Sequence, residues 1–404
     1  MSSRPSRSVA NPLAQHWTLD PRIDFLNHGS FGACPKPVLE AQTELRARME
    51  RQPLQFLARD LEGLLDEARG DLARFIGADP DDLAFVPNAT SGVNTVIRSL
   101  ELEPGDELLT TDHAYNACRN ALRWQERRGA KVVVAAVPWP IAGPSQVVDA
   151  VLGAVTARTR LALLDHVTSP TGIIFPVEEI VGRLQERGID SLIDGAHAPG
   201  MMPLDLRGIG AAYFTGNCHK WLCAPKGAAF LYVRRDRQQR IRPLTISHGA
   251  NAARTERSRF RLEFDWTGTD DPTPFLCIPH ALRFLGSLFP GGWPDLIERN
   301  HALAVRGRKL LCEALRVEAP APEEMLGSLA SVPLPDAKGK MPLARGVFWH
   351  PLQRALLERH DIEVPVMPFP ALPRQLIRIS AQAYNSEDQF ARLATALRSE
   401  LQLA

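Results

Sequence analysis

The chain has 404 residues, 45% of them hydrophobic and 23% charged, the composition of an ordinary soluble globular protein. Its 47 Lys and Arg balance 46 Asp and Glu, so no cationic excess invites nucleic acid or an anionic membrane surface, and no run reaches the roughly 18 apolar residues of a membrane span. Six cysteines (Cys34, Cys118, Cys218, Cys223, Cys277 and Cys312) do not make a disulfide framework at this length and form no CxxC pair, which weighs against zinc and predicts a cytoplasmic protein.

In chain order, residues 1–20 carry scattered arginines without an apolar core, which predicts a disordered extension rather than a secretory signal. Over 38–75, apolar positions recur at three and four, predicting two helices that stop at Gly77. The pattern then changes to short apolar, β-rich runs: LAFV (83–86), ELLTT (107–111), KVVVAAV (131–137), RLALLDHV (160–167), SLIDGA (191–196), AAYFTG (211–216) and AAFLYV (228–233). Helical stretches such as GVNTVIRSLE and PVEEIVGRLQERG lie between several of them. This alternation predicts an α/β fold with a mostly parallel seven-stranded sheet between helices. Residues 243–275 are polar and weakly periodic and read as a long connection. Beyond them, PHALRFLGSLF, PDLIERNHALAVRGRKLLCEAL, PLQRALLERH and SEDQFARLATALRSELQ read as helices, and RGVFWH (345–350) and LIRISA (376–381) as strands. The expected division is a large domain over 21–275 and a small α+β domain over 276–404.

Three segments concentrate polar chemistry at strand ends. SLIDGAHAPG (191–200) delivers Asp194 to the carboxyl end of an apolar strand, where open α/β sheets place their ligands, although an aspartate there also suits a cap or turn. In TGNCHKWLCAPKGAAFLYV (215–233), Lys220 lies between two strands, beside Trp221 and Leu222. Most lysines are solvated surface charges, but in an apolar setting the ammonium form is disfavoured and the amine becomes a nucleophile. FVPNATSGVNTVIRSL (85–100) ends a strand and opens a helix with small hydroxylated residues. That suits an anion held on free N–H groups, and equally suits plain capping by Thr90 or Ser91. Together the three match a cofactor with a phosphate, a ring nitrogen that wants a carboxylate and an aldehyde that wants a lysine, the parts of pyridoxal 5′-phosphate (PLP).

Through NATSGVN, DHVTSPTG, DGAHAPG and GNCHKWLCAPKG the chain resembles the class V aminotransferase family of fold-type I PLP enzymes. Within it the chain most resembles the isopenicillin N epimerase-like branch, which WTGTDDP (266–272) and LIRISAQAYN (376–385) also fit. The resemblance covers roughly residues 20–400. It implies that Lys220 is the Schiff-base lysine and Asp194 the partner of the pyridinium nitrogen. Thr90, the amides around Ser91 and Gly92, Asn217 and His219 match phosphate contacts. His113 matches the aromatic that stacks on the cofactor ring, and His197 and Thr168 match positions near the ring hydroxyl. Arg378 matches the arginine that binds the substrate α-carboxylate, and Asn27, His28 and Gly29 match a segment that closes over the substrate. Thr269 matches a residue at the phosphate of the neighbouring subunit's cofactor, which implies a homodimer with shared sites. Tyr115 either touches substrate or packs. His166 and His197 are also open to a reading as core histidines, and Cys218 and Cys223 to one as small core residues.

The implied reaction begins with removal by Lys220 of the Cα proton of an amino-acid or peptide-like substrate. A proton returned to the opposite face, from Tyr115, His28 or water, makes an epimerase or racemase. Loss of a β-thiolate makes a carbon–sulfur lyase, and return of the proton to the cofactor carbon an aminotransferase. The branch favours the epimerase. A cysteine desulfurase would need a mobile C-terminal cysteine, and none follows Cys312. A nicotinamide-binding Rossmann protein would need G-x-G-x-x-G where NATSG stands. A catalytically silent scaffold of the same fold would be expected to lose Lys220 or Asp194, which this chain keeps.

Overall fold

The computed structural model of the protein describes residues 11–337 and 350–403. Its strands, in chain order, are β1 (Asp24–Phe25), β2 (Leu83–Val86), β3 (Glu107–Thr111), β4 (Lys131–Ala135), β5 (Thr159–Asp165), β6 (Asp190–Asp194), β7 (Tyr213–Asn217), β8 (Ala229–Val233), β9 (Leu329–Leu334), β10 (Ile362–Glu363), β11 (Val366–Pro368) and β12 (Gln375–Ser380). Seven of them form one sheet in the order β2-β8-β7-β6-β5-β3-β4. Only β8 runs antiparallel to its neighbours in that sheet. Both faces are buried, so the strands are continuous apolar runs whose alternate residues serve different cores. In β5, Ala162 and Leu164 pack into one cluster while Leu161 and Leu163 pack into another.

A second core lies in the C-terminal part. There β11, β12 and β9 form an antiparallel sheet, packed against the helices Trp293–Leu315 and Glu387–Glu400 through Leu303, Leu311, Ile377, Ile379 and Phe390. β1 pairs in parallel with β10, and Leu26 belongs to this second core. The segment around 24–26, counted by the sequence with the large domain, thus packs with the C-terminal lobe.

Two other expectations change, and a third falls largely outside the described residues. Residues 1–10 of the expected disordered extension lie outside the described residues, but Pro12–His16 forms a short helical turn and Trp17 is buried. Two anchors hold this segment: Asn11 Nδ2 donates to Ala383 O at 2.7 Å, and Trp17 Nε1 donates to Ala33 O at 3.1 Å. The expected long connection over 243–275 contains the helices Arg259–Phe264 and Thr273–Leu276. Its polar look reflects ion pairing, since Arg257 meets Asp66 at 2.7 Å and Arg261 meets Asp265 at 3.2 Å. The expected strand RGVFWH falls, except for His350, outside the described residues. The helices Lys36–Arg51 and Leu61–Ile76 stand where two helices were expected, joined through one π-helical turn. Among the described residues no helix is long and apolar enough to cross a membrane.

Candidate active site

A cavity of about 380 Å³ opens at the carboxyl ends of β5, β6 and β7. Its wall includes Thr90, Tyr115, Asp165, Asp194, Asn217, His197, His219 and Lys220, with Ser30 and Phe31 contributed by the N-terminal segment. This is where an open α/β sheet is expected to bind its ligand.

Lys220 follows β7 in a loop pinned by its own backbone. His219 N donates to Ala228 O at 3.0 Å and Cys223 N donates to Lys220 O at 2.9 Å. His28 Nε2 meets the same Lys220 carbonyl at 3.0 Å. A carbonyl only accepts, so Nε2 carries the ring proton and Nδ1 accepts from the Tyr384 hydroxyl at 2.9 Å. Burial lowers the pKa of His28 to about 3, so the ring stays neutral. The Lys220 side chain is half-buried, and its Nζ lies 3.0 Å from His197 Nε2. Burial, reinforced by the Arg378 charge, lowers the Lys220 pKa to about 7, although Asp194, Cys118 and Asp165 act the other way. A large fraction of this lysine is therefore a free amine at neutral pH.

Asp194 closes β6. Its Oδ1 accepts from Ala196 N at 3.0 Å and its Oδ2 from Cys118 Sγ at 3.1 Å, which fixes the carboxylate in the cavity floor. Asp165 closes β5 in register with it and accepts from Tyr115 N at 3.3 Å. Burial, followed by the neighbouring Asp194 charge, pushes the Asp165 carboxyl well above the usual carboxylate range. The Asp165 carboxyl therefore favours its protonated form beside Asp194. Sequence reasoning passed over Asp165; the signal available was that RLALLD and SLID both end in aspartate.

The other end of the cavity suits an anion. Thr90 lies on the wall at the start of the helix Ala89–Ser99. Asn217 Oδ1 accepts from Ala89 N at 2.8 Å, which leaves its amide N–H groups as donors. His219 Nδ1 meets Ala228 O at 2.9 Å, so that nitrogen donates and Nε2 remains for a ligand. Burial lowers the pKa of His219 to about 4, and a phosphate beside it would act in the opposite direction. Two expected contacts do not reach the wall. Ser91 N and Oγ both donate to Asn88 Oδ1, at 2.8 and 3.1 Å, so Ser91 is committed to capping. Gly92 packs against β7, where an added Cβ would lie 2.2 Å from Thr215 Oγ1.

Arg378 on β12 sits directly behind the wall. Its Nη1 donates to Ser169 O at 2.6 Å and its Nη2 to Ser30 Oγ at 3.0 Å, and both serines line the cavity. Its buried Nε has no hydrogen-bond partner, an expensive state unless a ligand meets the guanidinium. Burial lowers its pKa to about 10, which leaves it charged at neutral pH. Asn27 and Gly29 position Ser30 without lining the cavity: Asn27 Oδ1 accepts from Ser30 Oγ at 2.5 Å, and Gly29 N donates to Ser380 Oγ at 3.0 Å.

Other expected residues are placed elsewhere. His113, expected to stack on a cofactor, lies in the core, with Nδ1 2.8 Å from Thr171 Oγ1 and its ring edge-on to Phe369 at 4.7 Å. Tyr115, in the same turn, is the side chain that reaches the wall beside Phe31. Thr168 is held inside its turn, 2.6 Å from Thr171 Oγ1, and its neighbour Ser169 faces the cavity instead. Thr269 is exposed and away from this cavity within one chain. His166 is a core histidine, edge-on to Phe214 at 5.9 Å. Cys218 and Cys223 are buried, and burial pushes both thiols up.

The family model described as aminotransferase class-V matches residues 32–287. Isopenicillin N epimerase of Streptomyces clavuligerus is 36% identical, over 94% of this chain and 95% of its own length. An L-cysteine desulfhydrase of Arabidopsis thaliana is 28% identical, over 96% of this chain and 89% of its own. Among solved structures, the complex of the cystine C-S lyase C-DES with cysteine persulfide aligns with a TM-score of 0.75 at 22% identity, covering 96% of this chain and 98% of that one. The fold is that of the fold-type I enzymes. The chain belongs to the aminotransferase class-V family.

Proposed function

We propose that this protein is a PLP-dependent enzyme that inverts the α-carbon of an amino-acid or peptide-like substrate, in the manner of an isopenicillin N epimerase. The observation that carries the reading is that Lys220, Tyr115 and Asp194 line one cavity. The residues present fit the cofactor. Thr90, Asn217 and His219 would hold its phosphate, Asp194 its ring nitrogen and His197 its ring hydroxyl. When bound, PLP supplies an electron sink for the pair left as the Cα–H bond breaks.

The chain's own residues then do the following. The Arg378 guanidinium exchanges its bonds to Ser30 and Ser169 for the substrate carboxylate, which orients the α-carbon. Lys220, with a pKa of about 7, takes the Cα proton as general base. Burial raises the Tyr115 phenol, so it keeps its proton at neutral pH, and in this reading it is the group that returns a proton to the face opposite Lys220. The Tyr115 ring also supplies the aromatic wall that His113 does not. His28 is unsuited to the donor role, since both its ring nitrogens are engaged beneath Lys220.

A carbon–sulfur lyase is the second reading, favoured by the desulfhydrase relative. It uses the same base and differs only in the fate of a β-thiolate. A persulfide relay through a C-terminal cysteine is disfavoured, because no cysteine follows Cys312. Exposed Phe31, Leu54, Leu244 and Ile246, with exposed Thr269, support a homodimer with shared sites. Six buried free cysteines support a reducing cytoplasm.

An amino-acid panel incubated in deuterated water tests the reading. Solvent deuterium at Cα with inversion supports the epimerase, pyruvate with a released thiol supports the lyase, and dependence on a 2-oxo acid points to an aminotransferase. A protein that stays colourless after incubation with PLP defeats all three. Tyr115→Phe should slow inversion about 10²-fold or more while deuterium still enters from the Lys220 face.

A further inference from the structure

His197 lies between two side chains of the same loop. Trp221 Nε1 is 3.3 Å from its Nδ1, and Lys220 Nζ is 3.0 Å from its Nε2. An indole nitrogen only donates, so Nδ1 must accept. A neutral imidazole has one ring proton, which is then on Nε2 and aimed at the lysine. An ammonium group has no lone pair to receive it, whereas an uncharged amine does. We infer that Trp221 is a positioning residue that fixes the ring proton of His197 on Nε2 and thereby selects the uncharged, nucleophilic form of Lys220. The inference rests on reading Lys220 as the cofactor lysine.

The surroundings allow little alternative. Trp221 is 1% exposed and its ring packs against His28 at 4.9 Å, so the indole cannot swing away. Gly29 closes the other side, where an added Cβ would lie 3.6 Å from His197 Cε1. Burial keeps His197 neutral, and the nearby Arg378 charge acts in the same direction. Around Lys220 itself, Arg378 also disfavours the ammonium form, whereas Asp194, Cys118 and Asp165 favour it. Deleting the indole N–H alters none of those groups directly. It only frees His197 to move its proton to Nδ1 and accept from a charged lysine.

The tautomer is decided on the cofactor-free parent protein by the ¹⁵N spectrum of the His197 ring. A protonated Nε2 and a bare Nδ1 are expected, and the reverse overturns the inference. Trp221→Phe keeps the packing and removes the donor. With ¹³Cε-labelled lysine, the Lys220 midpoint should rise by about one unit from its parent value, which lowers the free-amine fraction, and the rate of combination with PLP, about tenfold well below the midpoint. An unchanged midpoint in a folded Trp221→Phe protein overturns the inference. In a His197→Gln background the same change should add nothing, whereas a merely structural role for Trp221 predicts additive shifts. Failure of the parent to combine with PLP at any pH would instead defeat the proposed function, and the ring-nitrogen spectrum would still decide the tautomer.

Discussion

Lys220 and Lys226 occupy the same loop between β7 and β8, under very different conditions. Lys220 faces His197, an acid pair and a buried arginine, and its pKa falls to about 7. Lys226 is exposed, and its Nζ donates to Gly32 O at 2.8 Å. The two share a sequence neighbourhood and differ in what the rest of the chain brings to them. Reactivity in this loop is therefore imposed by strand ends and by the C-terminal lobe, not by the local run of residues.

The largest expected effect separates the two lysines outright. Lys220→Ala should abolish turnover and the visible absorption of the PLP-loaded protein together, while Lys226→Ala should leave both within about twofold, as for an ordinary surface charge. Comparable losses from both changes would erase the contrast. Next, Arg378→Ala should weaken substrate binding by about 1.5–3 kcal/mol, on the order of 10- to 100-fold, with PLP affinity retained. An unaltered substrate affinity would remove Arg378 from the carboxylate role.

The pH dependence sharpens the comparison further. The rate at which the cofactor-free protein combines with PLP should climb as pH passes about 7, the midpoint of Lys220. The same depressed pKa leaves the unfolded state holding more protons between about 7 and the ordinary 10.5, so stability should rise with pH across that window. Lys220→Met should flatten that rise in denaturant titrations; a rise that persists assigns it to another group. Asp165 carries the opposite sign and the smallest effect. Its carboxyl is raised in the folded state, so its contribution is fully present at acid pH and is lost as pH climbs above the usual carboxylate range. Asp165→Asn, which needs no proton, should hold or raise the melting temperature at neutral pH. A destabilisation on the order of 1 kcal/mol or more would refute this.

The seven sheet strands were legible because a strand buried on both faces must be a short apolar run. Lys220, Asp194, Asn217, His219 and Thr90 were legible because each stands where such a run ends. Asp165 was not, since its closeness to Asp194 depends on which strands are neighbours, and register between β5 and β6 is not a local property. The exchange of His113 for Tyr115 has a similar origin. Past the end of β3 no period dictates which side chain turns toward the cavity. Ser30 and Ser169 are tied together at the wall by Arg378, which lies far along the chain from both. The helices within 243–275 were hidden because arginine–aspartate pairs, rather than an apolar stripe, hold much of that segment.

The pairing of β1 with β10, together with the bonds from Asn11 to Ala383 and Asn385, joins the two ends of the described chain. During synthesis the sheet, with Lys220 and Asp194, leaves the ribosome well before β12 does. Ser30 has no Arg378 to fasten it until that last strand emerges. On the proposed reading the grip on a substrate carboxylate is therefore the final part to be made, and the Arg378 charge that disfavours the ammonium form of Lys220 arrives with it, so selection and full reactivity come together.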